Sequence, residues 1–376
     1  NGNQSSLSGI NGNTLLDGLP ASAIEKVEII NNPSAKYDPD GNSGIINIVL
    51  SKKKERGINI ISNLNLGSGD LKNGNVIDGS ISANYWSGKL YLNTSYSSRH
   101  LRGYRNNYSD IRQSFTGDSI NYLDQNRIGT DLNYSQNFRF GLDYDVSNTF
   151  KIGLDLLGVL GQRDRTGDLW NNLYDQNINR IGLWNRYAYD PTNRKNLELS
   201  AYIKHDFKNK QGKWKLLINN SIGKRNIEGF YNETHYQADS SSQIGNPILQ
   251  QLQNTENNNI LSSQFDFSYV FPEQKIKIES GLKAIVANQN VNTYSEEFDY
   301  NTNTYQSDTL ANFSYKYNEN IYSAYGIFGQ EFNKLKYQIG VRAEQAYQIP
   351  QLVNDTSISN QYFNLFPSAH LKYIPR

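Results

Sequence analysis

The chain has 376 residues, a formal net charge of +1 and a mean hydropathy of −0.69. Near-neutral charge gives no electrostatic basis for a nucleic-acid partner, and a sequence without cysteine excludes disulfide frameworks and thiol chemistry. No run approaches the roughly 18 apolar residues of a transmembrane helix. Because position 1 is not methionine, we expect the sequence to begin after processing or truncation.

Residues 1–54 differ from the rest of the chain. A start rich in glycine, asparagine and serine leads to a short helix predicted over 21–26. An apolar strand is predicted at 27–30, and a second strand is predicted at 45–50 after a turn-rich segment. This unit is too small to fold as a domain alone.

From about residue 57 onward, apolar and polar residues alternate with a period of two. In 131–145 the even positions run from Leu132 to Tyr144 and are almost all apolar or aromatic, whereas the odd positions include Asp131 and Arg139. The same alternation recurs in many windows and predicts strands. Alternation alone fits a soluble β-sandwich as well as a membrane wall.

The turns favour a membrane wall. Tight polar turns are predicted near 87, 147, 210, 273 and 333, at intervals of 60 to 63 residues, with two strands and one long polar segment between successive turns. Short turns on one side and long loops on the other are typical of outer-membrane barrels. The predicted outer loops are 67–74, 103–127, 162–193, 232–256, 294–315 and 348–360.

Aromatic residues flank every tight turn. Aromatic rings prefer the membrane–water interface, so this placement indicates an aromatic girdle. The sequence therefore predicts an all-β fold, a transmembrane antiparallel β-barrel with about 12 strands visible, located in the outer membrane and in contact with its lipid. The residues of the girdle are Tyr85, Trp86, Tyr144, Phe150, Phe207, Trp214, Tyr269, Phe271, Phe332 and Tyr337.

The segment between residues 24 and 48 resembles the end of the plug domain of TonB-dependent receptors. In that family an IE-x-VEV strand is followed by a P-S-A-x-Y loop and a glycine-rich G-x-INI strand. Asn32 and Asp38 depart from glycines that are common in the family, and both residue types suit a turn. The motif residues are Glu25, Glu28, Pro33, Ser34, Ala35, Tyr37, Gly41, Gly44 and Asn47.

The resemblance implies two parts, the C-terminal part of a plug at 1–54 and the first part of a barrel at 55–376. It implies a barrel of about 22 strands around a plugged lumen. It also implies an outer-membrane transporter for a bulky or scarce solute, such as an oligosaccharide, a peptide or a metal chelate. The expected partner is a TonB-type energy-transducing protein that acts through a segment absent from this sequence.

The predicted inner face carries charged residues with two interpretations. They either solvate the interior or pair with the plug, and pairs that break and re-form would suit gating. These residues are Arg139, Asp143, Asp155, Lys277, Glu279, Arg342 and Glu344.

Aromatic residues among asparagine and glutamine in the predicted outer loops suggest ligand contacts, because such rings can stack on sugars or peptides. The simpler alternative is interfacial anchoring. The candidates are Tyr104, Tyr108, Trp170, Trp184, Tyr231 and Tyr236.

Other patterns indicate no catalysis or metal binding. A calcium loop beginning at Asp38 would need an acidic residue where Val49 stands, and the four histidines share no ligand spacing. No nucleophile elbow or phosphate loop is present. We therefore predict no enzyme, no cofactor and no metal. The alternative function is a non-transporting barrel that acts as a scaffold for surface lipoprotein or secretion partners.

Overall fold

The computed structural model describes residues 24–30, 33–39, 45–50, 56–68, 74–107, 112–116, 119–209, 211–239, 242–332, 334–352 and 359–373. This part of the chain is folded as β-strands and turns. No helix within these residues has the length and apolar character needed to cross a membrane. The strands are β1 (Ile24–Ile30), β2 (Ile45–Leu50), β3 (Gly57–Ser68), β4 (Asn75–Ser87), β5 (Leu90–Asn107), β6 (Arg112–Thr116), β7 (Ser119–Asp145), β8 (Phe150–Tyr174), β9 (Arg180–Asp206), β10 (Gly212–Tyr236), β11 (Gln243–Phe271), β12 (Ile276–Asp299), β13 (Thr304–Ser307), β14 (Phe313–Phe332), β15 (Leu335–Leu352) and β16 (Asn360–Tyr373).

Strands β1 and β2 form a separate antiparallel pair in which Glu28 lies opposite Asn47. The Asn47 amide donates to the Glu28 carboxylate at 2.7 Å. The two strands predicted here are confirmed. The helix predicted over 21–26 is wrong for 24–26, because these residues belong to β1 and pair with β2; Ala21 to Ala23 lie outside the described residues.

The remaining strands form one antiparallel sheet, here called the wall. Its path runs from β3 to β16 through β4, β5, β7, β8, β9, β10, β11, β12, β14 and β15, with β6 and β13 as side strands. The twelve strands of this path agree with the number predicted. In the described part of the chain, β3 and β16 are not paired with each other.

Alternation divides the wall into two faces with different chemistry. On the outward face, Leu282 and Ile339 are 61% and 59% exposed. On the inward face, Asn219 and Arg342 are 0% and 1% exposed. A face that leaves large apolar side chains open while the opposite face buries polar ones is what a lipid-facing wall requires.

The outward apolar band has a defined upper edge. The outward residues of five neighbouring strands follow one order with increasing distance from the short turns. On each strand the last apolar residue is followed, two positions further from the turn, by a polar residue. The band covers about eleven residues per strand, close to the ~9–11 residues that a tilted strand needs to cross a bilayer. The last apolar residues are Leu160, Leu197, Ile222, Leu261 and Val286, and the polar ones are Gln162, Lys195, Lys224, Asn259 and Asn288.

The wall continues well beyond this band, since β8 to β11 are 25 to 29 residues long. The long outer loops predicted at 162–193 and 232–256 are therefore wrong: β8 continues to Tyr174, and only 175–179 connect it to β9. A polar composition suggested loops, but pairing with neighbouring strands satisfies the backbone of these polar segments. The connections that follow β4, β7, β9, β11 and β14 are two to five residues long and lie where short turns were predicted.

Candidate functional site

Residues 33–39, here called the contact loop, lie against the inner face of the wall. The loop contains a turn in which the Tyr37 amide donates to the Ser34 carbonyl at 3.0 Å. Ala35 is only 6% exposed, although it belongs to a short loop between two strands. This burial comes from contact with the wall.

Ala35 packs into a small apolar contact on β14 and β15. It forms a buried cluster with Tyr325 and Ile327 of β14. A Cβ built at Gly340 of β15 would lie 3.1 Å from the Ala35 Cβ, tighter than most real contacts between such atoms. Glycine at 340 therefore allows the contact loop to approach the wall backbone.

Asp38 is the centre of a buried ion cluster. Its Oδ1 accepts from the Arg342 guanidinium at 2.7 Å, and its Oδ2 forms an ion pair with Lys283. The Arg342 guanidinium also donates to Glu344 at 2.7 Å. The side chains of Arg342 and Lys283 are 1% and 6% exposed. Two positive and two negative groups balance, as buried charges require.

A second ion pair joins the contact loop to β11. Lys36 lies 3.1 Å from the Asp266 carboxylate. The same carboxylate accepts from the Tyr325 hydroxyl at 2.5 Å and from the Gln264 amide at 2.9 Å. Because Tyr325 also contacts Ala35, the apolar contact and this ion pair form one continuous contact site.

The charged residues predicted on the inner face divide into two groups. Arg342 and Glu344 take part in the contact site. The others pair within the wall: Arg139 with Asp155 at 2.6 Å, Lys277 with Glu279 at 2.9 Å, and Asp143 with the Tyr202 hydroxyl at 2.6 Å.

Sequence reasoning missed four charged residues of the contact site. Asp266 and Lys283 lie on the inward parity of their strands, next to predicted lumen residues. Lys36 and Asp38 flank the motif tyrosine, and Asp38 was interpreted only as a turn residue. The missing signal was long-range, since Asp38 and Arg342 lie 304 positions apart.

The plug-motif residues occupy three places. Pro33, Ser34, Ala35 and Tyr37 form the contact loop, and Glu28 pairs with Asn47 across β1 and β2. Glu25 lies in β1. Gly41 and Gly44 lie outside the described residues.

The five described aromatic ligand candidates are on strands and not on loops, so their predicted placement on loops is wrong. Trp170 and Tyr236 lie on the outward face above the apolar band, with ring centroids 5.7 Å apart, and Tyr104 is also outward. Trp184 and Tyr231 lie on the inward face. Tyr108 lies outside the described residues.

The two inward aromatics belong to a polar group on β9 and β10. Trp184 stacks on His235 at 6.0 Å, and the Arg186 guanidinium lies 4.7 Å from the Tyr231 ring. The Tyr231 hydroxyl donates to Asp190 at 2.7 Å. Burial and then this carboxylate raise the pKa of Tyr231 well above its usual range, so the hydroxyl keeps its proton.

Residues 205–375 match the profile of the outer membrane protein beta-barrel family, which is somewhat less than half of the chain. Together with the two-faced antiparallel wall, this match shows that the protein is located in the outer membrane. A comparison with curated proteins finds no match.

Among solved structures, the chain is similar to the outer membrane protease OmpT from Escherichia coli, with 12% identity, 83% of this chain and 98% of that chain covered, and a TM-score of 0.25. It is similar to the CymD monoaromatic hydrocarbon channel, with 10% identity, coverage of 86% and 90%, and a TM-score of 0.29. It is similar to the siderophore receptor PirA from Pseudomonas aeruginosa, with 9% identity, coverage of 94% and 89%, and a TM-score of 0.20. Scores of this size carry no argument about function.

The prediction that the chain is not an enzyme is contradicted by the first of these likenesses, because a protease is among the outer-membrane proteins that it resembles. The prediction rested on missing motifs of soluble enzymes, and such motifs do not decide the question for a membrane wall. The likeness itself assigns no activity to this chain.

Proposed function

We propose that the chain is part of a TonB-dependent outer-membrane receptor that imports a bulky or scarce solute. In this proposal residues 1–54 are the end of the plug and residues 55–376 are part of the barrel. The observation that carries the proposal is the contact site, in which a loop with the family's P-S-A-x-Y motif is bound to the inner face of the wall through Asp38 and Lys36.

The chemistry of the contact site suits a contact that opens and re-forms. Ion pairs exchange one partner for water and return to the same geometry, whereas a large apolar interface would have to expose its whole surface. The apolar part of the contact loop is small and centres on Ala35. A pull on the plug therefore has to break two ion-pair groups and one alanine contact.

The proposal includes a partner and an energy source. A TonB-type protein would pull the plug from the periplasmic side, the lipid of the outer membrane would surround the apolar band, and a surface lipoprotein would be an additional partner. The contact loop is the part of the described chain that would leave the wall during transport.

The test uses Ala35 as a reporter of opening, in the full-length protein in its own outer membrane. This chain contains no cysteine, so Ala35→Cys introduces one defined thiol. The thiol is labelled with a membrane-impermeant maleimide in cells with and without a proton uncoupler. We expect labelling in energised cells and a strong decrease when the uncoupler is present, because the closed loop shields position 35.

A control thiol at Leu310, which is 99% exposed, reports reagent access and should be labelled equally in both conditions. Labelling of Ala35→Cys that is independent of energy, or absent in both conditions, would contradict energised plug movement. Absence in both conditions would instead favour the scaffold alternative.

A further inference from the structure

A group of arginines lies on the inward face of the wall, above the contact site. One row of directly opposed residues crosses seven strands from β5 to β12. The row begins at Arg99, passes through Ser135 and Gly161 to Arg194 and Arg225, and ends at Glu256 and Val291. It contains three guanidinium groups and one carboxylate.

Arg194 and Arg225 face each other directly across β9 and β10. Like charges in opposed positions of a sheet are destabilising, because their Cβ atoms are only about 5 Å apart. Arg225 has one partial counter-charge, Glu256 at 3.4 Å. Among the described residues Arg194 has no ion-pair partner, and the Nε atoms of both arginines are buried without a hydrogen-bond partner. The pair is therefore poorly satisfied by the protein itself.

The neighbouring rows do not neutralise this excess charge. Two residues further out, Arg163 adds a positive group, which Asp131 binds through a bidentate contact with one N–O distance of 2.7 Å. The neighbouring row two residues closer to the short turns contains only uncharged residues, among them Asn137, Val159 and Asn196. Burial, followed by repulsion from Arg225 and Arg163, lowers the pKa of Arg194.

The two arginines border a hollow with a polar floor. Its lining includes Gly223, Asn196 and Asn258, and the Glu256 carboxylate that pairs with Arg225 also borders it. A Cβ at Gly223 would overlap the Asn258 side chain, so glycine at this position leaves room for the amide to lie across the floor. The guanidinium donors beside this hollow match the acceptor oxygens of a carboxylate, phosphate or sulfate group.

We propose that Arg194 and Arg225, which face each other across β9 and β10, form a binding site for an oxyanion group of a solute in the lumen. The group would lie on the lumen side of the two guanidinium groups and offset their mutual repulsion. The row that contains the two arginines reaches β12 at Val291, eight residues from Lys283. Eight residues span about 26 Å along a strand, and Val291 lies on the side of Lys283 away from the short turns. The site therefore precedes the contact site on a path from outside.

This inference deepens the proposed function, because it names the class of solute, but binding at the site needs no energised membrane. The full-length protein in mild detergent is titrated with inorganic phosphate, sulfate and citrate, and binding is followed by calorimetry and by the rise in the thermal unfolding midpoint. We expect binding of at least one of the three anions. Arg194→Gln and Arg225→Gln should each weaken it about tenfold or more.

Lys195→Gln is the matched control. It removes the same charge one position from Arg194, on the opposite face of β9, and should leave the affinity unchanged within about twofold. Without anion, Arg194→Gln should unfold at the same or a higher temperature than the wild type, because it removes a like-charge pair; weaker binding then cannot be attributed to misfolding.

Three outcomes would overturn the site: no binding of any of the three anions, wild-type affinity in Arg194→Gln, or equal weakening in Lys195→Gln. If anion binding holds while the Ala35→Cys thiol shows no dependence on energy, the oxyanion site stands and the transport proposal fails. If labelling depends on energy and no anion binds, the transport proposal stands and the oxyanion site fails.

Discussion

Replacing Asp38 by asparagine should open the contact loop without unfolding the wall. The change keeps the shape of the side chain and removes one of two negative charges from the buried cluster. The Asp38 carboxylate then no longer offsets the charges of Arg342 and Lys283, and both cations are almost completely buried. Removing one partner of a buried ion pair costs about 3–5 kcal/mol.

We expect the lower end of that range, because Arg342 retains its 2.7 Å contact with Glu344 and the amide introduced by Asp38→Asn can still accept one hydrogen bond. A loss of about 3 kcal/mol corresponds to a roughly 100-fold decrease in the ratio of closed to open loop, at about 1.4 kcal/mol per tenfold. The cost applies to the contact between loop and wall, since the wall strands keep their own backbone pairing.

The assay is the labelling rate of the Ala35→Cys thiol in de-energised outer membranes, with and without Asp38→Asn. When opening and closing are fast relative to labelling, the rate follows the open fraction and should increase about 100-fold. Asp155→Asn is the control: it removes a carboxylate from the 2.6 Å pair with Arg139, elsewhere on the inner face, and should leave the rate unchanged.

Adding Lys283→Gln to Asp38→Asn restores neutrality and should recover part of the closed state, which a double-mutant cycle measures. A change of less than about threefold in Asp38→Asn would show that the ion cluster does not hold the loop, and the energetic reasoning would be refuted.

Three further changes test the packing and the faces. Gly340→Ala should also raise labelling at position 35, because its Cβ would lie 3.1 Å from that of Ala35. An unchanged labelling rate would contradict the steric argument. Leu282→Arg should lower the free energy of unfolding in lipid by about 2–4 kcal/mol, whereas Leu310→Arg should change it by less than about 0.5 kcal/mol; equal effects would contradict the assigned lipid face. Tyr231→Phe should cost about 1 kcal/mol in urea unfolding through the lost bond to Asp190, and an unchanged midpoint would show that this bond contributes nothing.

Local sequence pattern predicted the wall well. The two-residue period from Leu132 to Tyr144 and the turns at intervals of 60 to 63 residues define faces and hairpins, because side-chain alternation and turn chemistry are local properties. The same reasoning failed in 162–193, where polar strands were interpreted as loops. Composition does not show whether a polar segment finds a neighbouring strand to pair with.

The helix predicted over 21–26 failed for a related reason. Residues 24–26 have no strong intrinsic preference, and pairing with β2 decided their conformation. The ligand-contact aromatics were selected as one group, but the wall places Trp170 and Tyr236 on the outward face and Trp184 and Tyr231 on the inward face. Odd and even positions of a strand face opposite sides of the wall. Counting positions along each strand from the apolar band would have separated the outward aromatic residues from the inward ones.

The sequence by itself determined which residues of each strand face lipid, where the chain turns, and which short segment carries the plug-like motif, because each of these follows from residues close together in the chain. Only the tertiary structure decided what that segment contacts. The ion pairs of Asp38 with Lys283 and Arg342, and the opposed Arg194 and Arg225, depend on how many strands separate two residues and on the register of each pairing. Those quantities are set by packing of the whole sheet, and no local pattern contains them.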